Sequence, residues 1–286
     1  ATGDSVSISI ADEILLTSVR TSFSITVREA WDAGVVIFDA AGRPIAQGSQ
    51  STPAFTGTAF YTIAKLLKIF PIDELEEGDV IITNDPWTGT GHLPDVNVLR
   101  PVFRHGEVIG FILTISHLVD VGGRGSSTLS RDVYEEGLLI PPVKIVERGQ
   151  LNDLLIDFIR INVRVPDQVL GDIMANISGG YVGGLKLNAL MDQHNLEDLQ
   201  DVANGIVSQS ELAIRKKILA MPDGKYNNQL KVEAEDNHAI TLACTLEIIE
   251  DRIKIDFSGT SACVSYAINV PLCYTRSWCA YTLKCL

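Results

Sequence analysis

Apolar residues recur at helical and strand spacings through the first half of the chain. Residues 11–23 carry apolar side chains on one side of a predicted opening helix. Residues 35–48 predict a hairpin of two short strands, and residues 56–70 predict a helix that ends before Pro71. Three further strands are predicted at 79–86, 96–103 and 107–116.

The spacing of apolar residues changes near residue 148 from that of strands to that of helices. Helical spacing over 150–162, 167–192 and 194–220 predicts a central block of helices, and Gly179, Gly180, Gly183 and Gly184 predict a loop that interrupts the second. Strands follow at 228–234, 239–249 and 252–257, and a last helix is predicted over 265–286. We therefore expect an α+β (mixed α/β) protein with antiparallel hairpins and a mixed sheet. The predicted parts are 1–147, 148–222 and 223–286.

One predicted hairpin draws attention because polar residues lie at its open end. If its turn is centred on His105-Gly106, residues 104 and 107 face each other and paired numbers add to 211. Asp95 would then lie opposite Ser116 and His117 opposite Pro94, so the open end of the hairpin brings Asp95 close to His117. A proline at 101 favours an irregularity that could shift this pairing by one residue.

His92 precedes Asp95 by three residues, in the turn-rich stretch NDPWTGTGHLPD, so the hairpin gathers two imidazoles and one carboxylate. Two His and one Asp with room for water is an arrangement that holds divalent Fe, Mn or Zn in open catalytic sites. We therefore predict His92, Asp95 and His117 as metal ligands. The alternative is that both histidines are hydrogen-bonded turn residues beside a capping Asp95.

Three further carboxylates near this stretch are candidates for proton transfer. Asp85 ends the strand DVIIT, Asp120 follows His117 before two glycines, and Glu136 lies beside a glycine and an apolar run, where burial would raise its pKa. Each has a structural alternative, because Asn-Asp-Pro and Asp-x-Gly-Gly are favourable turns and Glu136 fits a solvated turn.

Composition excludes several classes of function. With 36 acidic and 23 basic residues the formal net charge is −13, and no basic run offers a nucleic acid a local exception. No apolar run of about 18 residues predicts a membrane span, and no signal peptide is evident, so we expect a cytoplasmic protein. Five cysteines without zinc spacing predict reduced thiols. His105, His194 and His238 are predicted at the surface.

No P-loop, dinucleotide-binding or nucleophile-elbow motif occurs, so ATP, if it is used, is expected on another chain. The chain begins without Met and its last helical pattern lacks a C-cap, which we interpret as a longer protein cut at both ends. Activity of the chain alone is therefore not expected.

Several motifs occur in an order that resembles the hydantoinase B/oxoprolinase family: NDPWTGTGHLPDVNVLRPVF, SHLVDVGG, EEGLLIPPVK, IDFSGTS and INVPLCYT. The resemblance covers about residues 11–286, and family members are much longer. The family includes the B halves of 5-oxoprolinases and N-methylhydantoinases and related subunits of acetone and acetophenone carboxylases. It implies a hetero-oligomer in which an A-type subunit uses ATP and Mg to phosphorylate a lactam, hydantoin or ketone, and the B-type subunit helps complete hydrolysis or carboxylation.

In the carboxylase branch the resemblance implies a divalent metal on an H-x-x-D motif and a later histidine, which here match His92, Asp95 and His117. We expect hydrolysis of a 5-oxoproline-like or hydantoin-like ring. Ketone carboxylation is the first alternative, and a non-catalytic scaffold subunit is the second. The chain departs from the family pattern at Phe55, where His is frequent, at Trp87, where Tyr is usual, and at Leu118, where a second His often follows the first. These departures bear on substrate choice.

Overall fold

Helices and antiparallel sheets together confirm the predicted α+β class. The computed structural model describes residues 2–125, 127–233 and 239–285. The helices there are α1 (Thr2–Thr21), α2 (Ile25–Arg28), α3 (Pro53–Ile69), α4 (Val133–Glu136), α5 (Asp153–Asn162), α6 (Pro166–His194), α7 (Gln200–Leu219) and α8 (Leu272–Lys284). The strands are β1 (Ala33–Asp39), β2 (Pro44–Gln47), β3 (Val80–Thr83), β4 (Asp95–Arg104), β5 (Glu107–His117), β6 (Val143–Glu147), β7 (Gln150–Leu151), β8 (Gly224–Glu233), β9 (Ala239–Ile249) and β10 (Arg252–Asp256).

A seven-stranded sheet in the order β2-β1-β5-β4-β3-β6-β7 forms the middle layer. All of its strand pairs in the described residues are antiparallel, where a mixed sheet was expected. Helices α1 and α6 pack on one face, around apolar residues such as Ile14, Ile112 and Leu187. Helix α3 packs on the other face, against Leu99 and Ile115 among others. The central strands β4 and β5 are therefore covered on both faces of the sheet. This packing holds the open end of their hairpin in position.

Helix α6 is continuous from Pro166 to His194, so the predicted glycine loop within it is wrong. Its glycines lie at close contacts instead of in a turn. A Cβ at Gly179 would lie 2.3 Å from Oγ of Ser18, and one at Gly183 would lie 2.4 Å from Cδ1 of Ile14. The glycines allow α6 to approach α1 closely, and burial between α1 and the sheet outweighs their weak helix propensity.

The pairing of β4 with β5 differs from the predicted register by one residue beyond a bulge. Near the turn Arg104 pairs with Glu107 and Phe103 with Val108, and these numbers add to 211 as expected. The next pair, Val102 with Gly110, adds to 212. Ile109 is therefore an extra residue in β5, and it shifts every later pair. Asp95 lies directly opposite His117, so the predicted pairs Asp95 with Ser116 and His117 with Pro94 are wrong.

Two predicted helix ends also differ. The opening helix ends at Thr21 because the Asp172 carboxylate accepts hydrogen bonds from the backbone N–H groups of Phe23 and Ser24, which turns the chain. The last helix begins at Leu272 instead of within 265–271, and Pro271 is its N-cap residue. The predicted strands after residue 222 form a separate antiparallel sheet in the order β10-β9-β8.

The other expectations for the chain have mixed outcomes. None of the described helices is long and apolar enough to cross a membrane. All five cysteines are free thiols, as predicted. His105 and His194 are exposed, and His238 lies outside the described residues. The division into 1–147, 148–222 and 223–286 stays a prediction.

Candidate metal centre

Two imidazoles meet one carboxylate oxygen at the open end of the β4–β5 hairpin. Nε2 of His92 lies 2.8 Å from Oδ1 of Asp95, and Nδ1 of His117 lies 2.9 Å from the same oxygen. The two rings are 5.1 Å apart between centroids. These three residues are called the imidazole–carboxylate cluster below. The sequence predicted its members, and the bulge in β5 brings two of them directly opposite each other.

Asp95 is the buried centre of the cluster. Its side chain is 1% exposed, and its Oδ2 atom is buried without a hydrogen-bond partner among the described residues. Burial alone would raise the pKa of this carboxyl, but the hydrogen bonds and charges of His117 and His92 outweigh it and lower the pKa. A buried carboxylate with one oxygen unsatisfied is uncommon and calls for a further partner.

His92 is held by the loop between β3 and β4. Asn84, which is buried, donates to the carbonyl oxygens of Leu93 and Leu138 and accepts from the N–H of Ile140, which fixes both ends of the loop. Gly91, just before His92, has a φ of +107°, which favours glycine. The loop therefore directs the His92 ring at Asp95 by backbone geometry that the turn-rich sequence supplies.

The His92 side chain is 48% exposed, and its partial burial disfavours the charged form, but the hydrogen bond and charge of Asp95 outweigh this and raise the His92 pKa. The negative charges of Asp32 and Glu136 raise it further. The surroundings of the cluster are thus strongly acidic and suited to a cation.

Asp32 is a fourth member of this site that the sequence analysis missed. Its Oδ2 lies 3.9 Å from Nδ1 of His117, and its Oδ1 accepts a hydrogen bond from Oγ1 of Thr52. Burial raises the pKa of Asp32, and His117 opposes that rise. Asp32 precedes β1, which pairs with β5 so that Ala33 faces Ser116. No sequence pattern indicated that β1, rather than β3, would lie beside His117.

The three predicted proton-transfer residues occupy different surroundings. Asp85 accepts hydrogen bonds from the Trp87 N–H and the Thr88 hydroxyl, and so shapes its own turn. Asp120 is ion-paired with Arg164 at 2.7 Å; burial alone would raise its pKa, but hydrogen bonds from Arg164 and Gly122 lower it.

Glu136 is half-buried, and among the described residues no Lys, Arg or His forms an ion pair with it. Burial raises its pKa, and the charge of His92 partly opposes the rise. Glu136 and His92 are close enough for their charges to affect each other's pKa. A raised pKa is the direction that suits a carboxyl group for proton transfer, so Glu136 stays a candidate for that role. Each of these roles stays a prediction.

The donor set fits a divalent metal. One atom from each of His92, Asp95 and His117 lies within 4.8 Å of the others. Two neutral imidazole nitrogens and a carboxylate oxygen suit Zn, Mn or Fe. The unsatisfied Oδ2 of Asp95 and the nearby Asp32 carboxylate offer further oxygen ligands. The same contacts also describe two imidazoles hydrogen-bonded to a carboxylate, which is the metal-free alternative.

Comparison with known proteins adds independent information. A model of the family described as Hydantoinase B/oxoprolinase matches residues 5–286. The caprolactamase subunit beta of Pseudomonas jessenii is 29% identical over 82% of this chain and 41% of its own length. The 5-oxoprolinase 1 of Arabidopsis thaliana is 28% identical over 97% of this chain and 24% of its own.

The fold is also similar to a solved structure. The crystal structure of the ATP-dependent caprolactamase from Pseudomonas jessenii superposes with a TM-score of 0.86 at 27% identity, covering 94% of this chain and 47% of that one. The chain spans about half or less of the length of the curated relatives it matches.

Proposed function

Because the chain belongs to the hydantoinase B/oxoprolinase family, we propose that it is a B-type subunit of an ATP-dependent cyclic-amide hydrolase, which opens a lactam or hydantoin ring. An A-type partner subunit would bind ATP and Mg, since this sequence has no P-loop. The names of the caprolactamase and 5-oxoprolinase relatives support this class of substrate.

One observation carries the chemical part of the proposal: two imidazoles converge on one oxygen of a buried carboxylate whose other oxygen is unsatisfied. His92, Asp95 and His117 would hold a divalent metal, and Asp32 would approach it as a second carboxylate. When bound, the metal supplies Lewis acidity, which polarises a carbonyl or phosphoryl oxygen and lowers the pKa of water. Metal identity is left to experiment among Zn, Mn and Fe.

Residues of the chain supply the rest of the chemistry. Asp95 lies within hydrogen-bond distance of Nδ1 of His117, the Asp32 carboxylate lies 3.9 Å from the same nitrogen, and Thr52 donates a hydrogen bond to Asp32. Glu136, whose pKa is raised by burial, would carry a proton between water and the ring nitrogen that leaves. Asp120, paired with Arg164, would position the turn that follows β5.

Metal content tests this proposal directly. The purified chain, supplied with Zn, Mn and Fe in turn, should hold about one metal per chain by elemental mass spectrometry, and His92→Ala and His117→Ala should lose it. His194→Ala removes an exposed imidazole at the end of α6 and is the matched control, which should keep the metal. Metal retained in His117→Ala would contradict the assignment. A metal-free wild-type chain that still bound an A-type subunit would favour a scaffold role.

The reaction is tested after reconstitution with an A-type subunit. Ring opening with ATP hydrolysis and without incorporation of labelled bicarbonate is the expected result. Incorporation of the label would contradict hydrolysis and establish carboxylation of a ketone instead.

A further inference from the structure

A large apolar cleft lies between the three-stranded sheet and α8. Its volume is about 850 Å³, in the range of sites that bind drug-sized ligands. Its apolar lining includes Leu230, Leu242, Cys244, Phe257, Trp278 and Cys279. Leu230 and Leu242 are paired across β8 and β9, and 59% and 48% of these side chains are exposed. Two large apolar side chains thus remain open to a ligand on one sheet face.

The lining is also free of formal charge. Among the described residues that border the cleft there is no Asp, Glu, Lys, Arg or His, although 21% of the chain is charged. Amide and hydroxyl groups, such as those of Gln229, Thr260 and Thr275, supply the polar contacts. A carboxylate placed here would lose water without gaining a cation, whereas a neutral apolar group would gain from burial.

Tyr274 joins this cleft to the imidazole–carboxylate cluster. It lines the cleft, and its Cβ would lie 3.3 Å from a Cβ placed on Gly91, the residue before His92. The adjacent Cys273 thiol lies 3.6 Å from the carbonyl oxygen of Gly89, so the start of α8 rests on the loop that carries His92. Burial raises the pKa of the Tyr274 phenol, a hydrogen bond with Trp278 opposes that rise, and the charges of Asp95 and Asp32 add to it.

We propose that this cleft binds the apolar substituent of a neutral cyclic amide whose ring lies at the imidazole–carboxylate cluster. The substrate class would be hydantoins or lactams that carry a bulky apolar group, in preference to rings with a carboxylate such as 5-oxoproline. This inference rests on the proposed function for the position of the ring. The cleft can be tested separately from the metal centre, because none of its lining residues belongs to the cluster.

Binding of three probes to the full chain tests the proposal. Isothermal titration calorimetry would compare 5-benzylhydantoin, unsubstituted hydantoin and 5-oxoproline. Burying the benzyl group should make 5-benzylhydantoin bind at least about tenfold more tightly than either of the other probes. Equal affinity for 5-benzylhydantoin and hydantoin, or no binding of 5-benzylhydantoin, would overturn the proposal.

Variants locate the binding site. Cys244→Trp fills the cleft and Leu242→Asp places a charge in it, and each should reduce the benzyl preference by about tenfold or more. Thr245→Trp adds the same side chain on the opposite face of β9 and should leave the preference intact. Wild-type affinity in both Cys244→Trp and Leu242→Asp would place the ligand elsewhere and refute the assignment.

Metal content measured on the same samples separates the two proposals. Cys244→Trp and Leu242→Asp should keep the metal, and circular dichroism spectra like that of the wild type show that the three-stranded sheet still folds. A chain that binds 5-benzylhydantoin selectively but holds no metal would contradict the metal centre alone. A chain that holds metal without benzyl selectivity would contradict the cleft alone.

Discussion

The glycines of α6 allow a sharp test of helix packing. At Gly183 an added Cβ would lie 2.4 Å from Cδ1 of Ile14 and 2.7 Å from Cδ1 of Ile112, both of which are fully buried. At Gly184 an added Cβ would meet only Val102, at 3.7 Å, which is ordinary contact. Two neighbouring glycines of one helix therefore differ in packing while sharing the same backbone conformation.

The expected free energies follow from these distances. Replacing a helical glycine by alanine gains about 1 kcal/mol of helix propensity at either position. Overpacking at Gly183 costs about 1–3 kcal/mol, because both isoleucines must move within a close-packed core. Gly183→Ala should therefore lower the free energy of unfolding by up to about 2 kcal/mol, and Gly184→Ala should raise it by about 1 kcal/mol.

Urea unfolding followed by circular dichroism measures both variants against the wild-type chain. Adding Ile14→Val to Gly183→Ala removes the Cδ1 atom in the closest contact and should recover part of the loss, more than Ile14→Val changes the wild type. Equal urea midpoints for Gly183→Ala and Gly184→Ala would refute the reasoning that close approach to α1 selects glycine at 183.

Three further predictions concern stability. Burial alone would raise the pKa of the Asp79 carboxyl, but hydrogen bonds from the Lys144 side chain and from the backbone N–H groups of Arg148 and Glu76 lower it. The Asp79 carboxylate therefore stabilises the folded chain above about pH 4, and this stabilisation is lost as pH falls through the lowered pKa. Asp79→Asn should cost about 2 kcal/mol at pH 7 and less at pH 3 by urea unfolding, and an equal cost at both pH values would contradict this. Asn84→Ala breaks three buried hydrogen bonds and should cost about 2–4 kcal/mol, with a change below about 0.5 kcal/mol counting against its role in the loop. A bound metal at about 100 times its Kd should raise the unfolding free energy by about 2.7 kcal/mol, and an unchanged urea midpoint on metal addition would argue against binding.

The membership of the cluster could be predicted from sequence, but its geometry could not. The turn at His105-Gly106 follows from local residues, and it brings the open ends of β4 and β5 together. The bulge at Ile109 depends on packing, because Gly110 approaches the carbonyl oxygen of Phe38 on the neighbouring strand β1. Pro101 indicated that the pairing could shift by one residue, but no local pattern reports the contact with Phe38, so the predicted register was wrong by one residue.

Long-range neighbours account for the other differences. Asp32 lies beside the cluster only because β1 pairs with β5, and this pairing depends on the strand order of the whole sheet. The glycines of α6 indicate a loop when read locally, yet they serve a helix that packs against α1. In both places tertiary burial outweighed a local preference.

The bulge also separates the tip of the hairpin from the strand segments that carry Asp95 and His117, so the length of the tip can change independently of those segments. The turn lies about ten residues, or about 30 Å, from the cluster. Insertions or deletions at His105-Gly106 change only the tip, provided that Val102 still pairs with Gly110. A single-residue insertion between Gly110 and His117 would move His117 out of line with Asp95. The tip can therefore change in length without moving the cluster, while the strand segments past Ile109 are constrained in length.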